Sequence, residues 1–484
     1  MSIVKQIRER IGGVGAASLL LLGLVVTPFA TTSSALADGF FDSIFPLGQR
    51  SPPPLYPTKA VPFKSAKDLP VRPKLGIEVG DGFLDTGKLD AGFETPWGAV
   101  WQPRLWGYMI NRTAVQHFEN STRSNTEIAN RMDLFVNLQL TGTEKILLNL
   151  RPTDSNRPGQ FSRYSFNDSQ GGEGFVGEYA PVLEAFFFEG DLGSLFPKLD
   201  PGGIKPIDYG YTIGRQALNF QEGILLNDTI DMFGLVRNNL YAPGVSSLRI
   251  SGMYGWRGAD RGESDSHTDT FGLFTSADLP HSTVNLDMIY VADENVNGDA
   301  FYAGLSSIQR IGRLNTAFRI NGSIAFDKDR AGVADGLLLS AELAMTPHKS
   351  DDNFYFNPYV GISNFTQAGR EPVIGGPLGA LGVLFASPNL GNYGSELSSF
   401  TDEVAGFATG YQAFWDNHRR NLVLELATRK DISGDADKVD SLAVGFQMQQ
   451  AIGRHFQVQF EGFYAFVENQ KNSTGMRLEL QIVY

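Results

Sequence analysis

From about Trp97 to the last residue, apolar and polar side chains alternate along one run after another, and that two-residue period admits few folds. The final nine residues show it plainly. Met476, Leu478, Leu480, Ile482 and Tyr484 take one parity, and Arg477, Glu479 and Gln481 the other. Successive strand residues point to opposite faces, so the segment is a strand with one oily and one wet side. Leu248, Ile250, Tyr254 and Trp256 alternate in the same way with Arg249, Ser251 and Arg257. So do Phe318, Ile320, Ile324 and Phe326 with Arg319, Asn321, Ser323 and Asp327, and Phe456, Val458, Phe460, Tyr464 and Phe466 with Gln457, Gln459 and Glu461. Eighteen such runs are expected: 97–110, 130–142, 145–153, 181–192, 207–219, 227–239, 245–258, 267–278, 281–294, 298–311, 313–327, 333–347, 353–367, 402–416, 419–431, 439–452, 454–468 and 472–484.

The two faces decide the environment. A dry core does not accept Arg, Asp, Glu, Gln and Asn strand after strand without partners, so the polar side needs a wide, wet interior and the oily side needs lipid. A soluble sandwich or propeller would invert that arrangement, and a propeller would add a blade-length repeat that the chain lacks. The expected fold class is all-β: a transmembrane antiparallel β-barrel of about eighteen strands in meander order. The runs have the length of tilted membrane strands, about 9–11 residues.

Residues 1–37 have the form of a secretory signal peptide. Lys5, Arg8 and Arg10 precede an apolar stretch from Ala16 to Val26, and Ala35-Leu36-Ala37 is a small-residue cleavage site. The apolar stretch falls short of the ~20 residues a helical span needs. Residues 38–74 hold eight prolines, an extended tail rather than a domain, and 75–484 are assigned to the barrel. Cysteine is absent, which excludes disulfides and thiolate metal sites. Removing the signal takes the net charge from −13 to −15, a poor match to nucleic acid.

With an export signal and an alternating last strand that ends on an aromatic residue, the chain resembles bacterial outer-membrane β-barrels. That resemblance implies an outer-membrane location, a wall bathed in lipid and lipopolysaccharide, and a C-terminal Tyr484 read by the barrel-assembly machinery. It also implies short periplasmic turns alternating with longer external loops. Candidates for the turns are 141–144, 278–281, 311–313 and 452–454, and for the loops 111–129, 153–180, 258–266, 327–336 and 430–439. The segment 190–206 is long for a turn, and Pro358 removes a donor inside a proposed strand. Gly214-Arg215-Gln216 resembles a strand motif of the alginate-export porins, eighteen-stranded barrels that pass an acidic polysaccharide through an arginine-lined lumen. The resemblance implies that Arg215 and Gln216 belong to the pore wall or its rim, although strict alternation from Tyr211 and Ile213 turns Arg215 outward.

Alternation places Arg131, Arg151, Arg249, Arg319 and Arg477 in the lumen, where guanidinium forks suit carboxylate or phosphate groups. Asp133, Asp287, Glu342, Glu425, Glu461 and Glu479 face the same way and can offset them across strands. The longest connection, 366–402, is oily at Val373, Ile374, Leu381 and Phe385, which suits a constriction folded into the mouth better than a loop in water. No catalytic motif or cofactor site emerges. Six scattered histidines and the neighbouring Ser266 and His267 do not make an enzyme. A channel for a hydrophilic solute, an oligosaccharide or anionic organic compound, is the expected function. A closed receptor or adhesion barrel is the competing class, with a hydrolase behind it. The 38–74 tail is the expected site of any periplasmic partner.

Overall fold

The computed structural model describes residues 74–83, 91–154, 162–170, 172–176, 180–202, 207–257, 268–293, 298–326, 332–348, 350–369, 376–435 and 438–484. The signal-peptide assignment and nearly all of the 38–74 tail lie outside those residues. Eighteen antiparallel strands follow in chain order: β1 (Arg104–Glu119), β2 (Ser124–Gln139), β3 (Lys145–Asp154), β4 (Ala180–Asp191), β5 (Gly210–Phe220), β6 (Leu226–Ala242), β7 (Val245–Arg257), β8 (Thr268–Asp278), β9 (Ser282–Asp293), β10 (Ala300–Ile311), β11 (Leu314–Ala325), β12 (Gly336–Met345), β13 (Asn353–Phe365), β14 (Val404–Trp415), β15 (Arg420–Asp431), β16 (Ser441–Ile452), β17 (Phe456–Val467) and β18 (Ser473–Val483). Each pairs with the next, and β18 pairs back onto β1 from Thr474↔Glu119 to Val483↔Ile110, so the sheet closes into a barrel.

Closure is completed at both chain ends. Tyr484 exchanges two backbone hydrogen bonds with Met109, at 2.8 and 2.9 Å. Below that point the short strand Ile77–Val79 takes over the edge of β1, with Ile77 opposite Gly107. At the other end of the barrel, β3 stops early and Ser162–Asp168 continues the ladder along β2. Backbone groups that an open edge would leave unpaired are thereby paired.

The strands follow the eighteen expected runs one for one, and the first hairpin departs furthest. Residues 111–129, expected as a loop, are strand on either side of the tight connection 120–123. The polar residues that suggested a loop divide between the two faces. Arg112 and Gln116 turn in, and Asn111, Thr113 and His117 turn out against Asn130 and Thr126. Residues 97–103, expected as strand, instead hold part of a two-residue hairpin, Phe93–Glu94 against Val100–Trp101. Pro358 is inside β13, where the ladder to β12 lapses between Phe356 and Tyr359. The long 190–206 connection holds a one-turn helix, Leu192–Leu195, whose N-terminus is capped by Asp191 accepting from the Gly193 and Ser194 N–H groups.

Gly214 has φ +124°, and a Cβ there would collide with the Phe186 carbonyl on β4. Gly214→Val is therefore expected to cost about 1–3 kcal/mol of backbone strain and packing. A lower temperature for loss of the compact band in unheated-versus-heated gels would show it, and an unchanged one would refute it.

Candidate functional site

The strand faces separate by chemistry. Outward positions carry exposed Leu286, Leu305, Leu424, Val444, Leu478 and Phe466, while buried Asp133, Asp287, Arg319, Glu425, Glu461 and Arg477 take the other parity. One segment, 376–402, touches that second face on strands from opposite sides of the ladder, which is possible only inside the barrel. It hydrogen-bonds β1, β2, β13 and β15 and packs against β16, β17 and β18.

The inner wall is shaped to receive this segment. Ala408, Ala427, Ala443 and Ala465 stand opposite one another on β14, β15, β16 and β17, a row of methyl groups across four neighbouring strands. Leu378, Leu381, Leu384, Phe385, Tyr393 and Leu397 of the loop bury themselves over this row together with Phe118, Tyr359 and Phe463. Two aromatic edges fix the arrangement, Tyr359–Phe385 at 5.6 Å and Phe118–Tyr393 at 5.6 Å.

Two buried carboxylates then clasp the loop's backbone. Glu425 accepts the Val383 and Leu384 N–H groups, both at 2.8 Å, and the Tyr355 hydroxyl. Glu127 accepts the Asn392 N–H at 2.6 Å and its side-chain amide at 3.0 Å, with Gln116 donating to it at 2.7 Å and Arg163 forming an ion pair at 3.5 Å. Backbone donors aimed at an ionised carboxylate form strong hydrogen bonds. Further holds come from Asn357 to the Leu381 carbonyl, 2.7 Å, and from Arg112 to the Pro388 carbonyl, 3.3 Å. A second connection, 221–225, also turns inward, and its Leu225 carbonyl accepts from the Ala368 N–H just after β13, 2.9 Å. Of the residues expected in a constriction, Leu381 and Phe385 thus sit buried in the infolded segment, and Val373 and Ile374 lie outside the described residues.

Among the lumen charges, pairing is the rule. Arg131 and Arg151 both hold Asp133 at 2.8 Å, and Arg151 also reaches Glu184 at 2.7 Å. Arg477 binds Glu461 at 2.6 Å and also contacts Glu479, which Arg112 grips at 2.7 Å. Arg319 pairs with Glu342 and, at 3.7 Å, with Glu222. Asp287 accepts from Gln221 at 2.7 Å. Among the described residues, Arg249 is the one of the five expected arginines without an ion-pair partner. It is exposed to the lumen, and Asp287 is the carboxylate that feels its charge.

Two cavities flank the infolded loops. One of about 200 Å³ is lined by Arg112, Arg477, Glu396, Glu425 and Glu461. Burial pushes the Glu396 carboxyl, on the loop, well above its usual range. The other, about 300 Å³, is lined by Arg249, Ser251, Thr275, Ser276, Asn285 and Ser306, with the stacked rings of Phe220 and Phe274 at its edge, 3.5 Å between centroids.

No family model and no curated protein sequence matches the chain. Solved structures do. The barrel is similar to OccK2 (OpdF) of Pseudomonas aeruginosa, TM-score 0.53 at 11% identity over 78% of this chain and 97% of that one, a protein also solved with glucuronate. It is similar to OccAB3 of Acinetobacter baumannii, TM-score 0.52 at 10% identity over 78% and 99%. It is likewise similar to OccK1 (OpdK) of Pseudomonas aeruginosa, TM-score 0.52 at 12% identity over 78% and 98%; OpdK is an outer membrane protein. At such identities the likeness is one of fold, a closed eighteen-stranded barrel.

Arg215 departs from a pore-wall position. It stands beside Phe186 on the outer face, paired with Asp231 at 2.7 Å, because Gly214 does not reverse the alternation that follows Ile213. Gln216 faces inward, accepting from the Thr212 hydroxyl at 3.0 Å. Arg112, Gln116 and Glu127 were missed because they fall in the stretch expected as a loop. Their signal was there: Arg112, Ala114, Gln116 and Phe118 keep one parity. His117 faces Thr126 and His455 is stacked on Tyr484, and Ser266 and His267 lie outside the described residues.

Replacing both clasp residues, Glu127→Leu with Glu425→Leu, removes the acceptors for three loop N–H groups. The expected result is a larger and noisier single-channel current, and replacing 378–397 with a Gly-Ser linker should raise it further. An unchanged current in both variants would show that the segment does not narrow the path.

Proposed function

We propose that the chain is an outer-membrane channel through which a small hydrophilic solute diffuses, and that the favoured solute is anionic, of the sugar-acid class. The observation that carries this reading is Arg249. It is exposed in the lumen without an ion-pair partner and shares its cavity with the hydroxyls of Ser251, Ser276 and Ser306, the Asn285 amide and a stacked aromatic pair. A guanidinium suits a carboxylate, hydroxyl and amide groups suit sugar hydroxyls, and ring faces suit the apolar face of a pyranose. Glucuronate, bound by the similar OccK2, has that chemistry. A long polyanion such as alginate fits less well, since Arg131, Arg151, Arg319 and Arg477 are already neutralised. In the same reading lipid and lipopolysaccharide surround the apolar wall, Tyr484 is the handle for barrel assembly, and the 38–74 tail takes any periplasmic partner.

One observation favours a second reading, a closed barrel whose outer loops do the work: segment 376–402 is packed and clasped rather than loose. Planar-bilayer recording separates the two, since a closed barrel passes no current. In the channel reading, glucuronate blocks the current, and Arg249→Glu weakens that block about tenfold to a hundredfold, the loss of one charge-assisted hydrogen bond. The reversal potential in a salt gradient should shift toward cation preference in the same variant. Equal block in parent and variant would remove Arg249 from the solute path.

A further inference from the structure

We propose that the proline-rich tail, 38–74, folds back into the periplasmic mouth of its own barrel, lies on the ring faces of Tyr108 and Phe135, and narrows the pore from that side. The inference rests on the membrane-channel reading above and on the way the described chain begins. Strand Ile77–Val79 lies along β1, and the ladder position before Ile77 is closed, because Tyr484 already exchanges hydrogen bonds with Met109. The chain therefore leaves the sheet at Gly76, beside the Tyr484 carbonyl. Glu78 shows the direction. It stands opposite Trp106, on the parity of Arg112 and Gln116, so its carboxylate is on the lumen side, and there it accepts the Leu75 N–H at 2.9 Å. Past Val79 the chain turns to the same side, where the Trp106 indole donates to the Asp81 carbonyl at 3.0 Å and Phe83 meets the Trp106 ring at 5.4 Å. The outer side offers no route. Ile77 and Val79 face it, 53% and 59% exposed, in the position of lipid-facing groups, and a stretch rich in Lys and Arg is costly there.

The tail's chemistry matches what it meets. Pro54-Leu55-Tyr56-Pro57 and Pro70-Val71-Arg72-Pro73 each place two prolines three residues apart. That is the repeat of a polyproline II helix, so both prolines fall on one edge, the arrangement that docks on aromatic faces. Tyr108 and Phe135 supply such faces inside the barrel, stacked at 4.8 Å and 13°, with Tyr108 38% exposed. Positions 50–74 hold six Lys and Arg and one Asp, whereas 75–484 carry a net charge of −18. A cationic segment is drawn to an acidic barrel, and its guanidinium and ammonium groups suit ring faces. Reach is not limiting. At ~3.1 Å per residue, positions 50–73 extend to about 70 Å, against a wall about 30 Å deep.

Planar-bilayer recording of the full mature protein tests this, because a tethered cationic segment is drawn in at one polarity and out at the other. The expected current is asymmetric in voltage, and deletion of 38–73 removes the asymmetry and raises the conductance. Synthetic peptide 50–74, added to the deletion variant, then blocks from one side alone, and Tyr108→Ala with Phe135→Ala weakens that block about tenfold. A second readout needs no current. The chain lacks cysteine, so Val71→Cys is combined with Asn137→Cys, which stands opposite Trp106 on the inner wall. A short bismaleimide should join the two within one chain, and mass spectrometry identifies the joined peptides. Equal currents with and without the tail, and no joined peptide, would overturn the docking and leave the channel reading standing. A joined peptide in a barrel that passes no current would keep the docking and overturn the channel reading. Joining that requires an added periplasmic protein would give the tail to a separate partner and overturn the docking.

Discussion

Everything in this molecule depends on one meeting of strands, β18 on β1. A sheet of this breadth with two open edges would expose rows of backbone donors and acceptors that lipid cannot satisfy. Closure removes both edges at once, and only then does the alternation of side chains acquire an inside and an outside. The inside can hold Asp133 between two arginines or Glu479 between Arg112 and Arg477 because those groups face one another across a polar lumen. The outside can be nearly bare of charge for the same reason.

Within the lumen, two chemistries share the wall. Toward the end where the long connections lie, the inward positions of β14–β17 shrink to alanine, and a loop rich in leucine and phenylalanine settles there. The methyl row does not by itself fix the loop's register, since apolar contact is non-directional. Glu127 and Glu425 supply direction, because a carboxylate accepts only from donors aimed at it. Apolar burial holds the infolded segment down and hydrogen bonds hold it in place. The charged pairs below are therefore not required to shape it, and Arg249 is left exposed in the lumen.

Much of the fold was legible in the residues because a period of two is hard to imitate over four hundred positions. The runs ending at Ile452 and beginning at Phe456 lie where the alternation put them. The first hairpin was illegible for a physical reason. Asn111, Arg112 and Thr113 are polar on both faces, so alternation carried no signal there, and pairing with β18 rather than local preference makes the segment strand. The site divides in the same way. Inward charges could be read from parity, as Asp133 and Arg477 were, but which of them are neutralised depends on neighbours several hundred residues away, such as Arg112 and Glu479. The alanine row was hidden too, since alanine at an inward position reads as nothing until four strands are laid side by side.

The seam where Tyr484 meets Met109 and Ile77–Val79 continues along β1 brings the barrel's first and last residues together. The contact with the longest span in the chain is thus also the one that completes the wall. No earlier part of the sheet can shield its edges during folding, and the loss in chain entropy on closing so long a loop falls on a single step. The two ends behave as a clasp on a belt: every hairpin between them can form in its own time, but none lies against a finished wall until the last strand arrives.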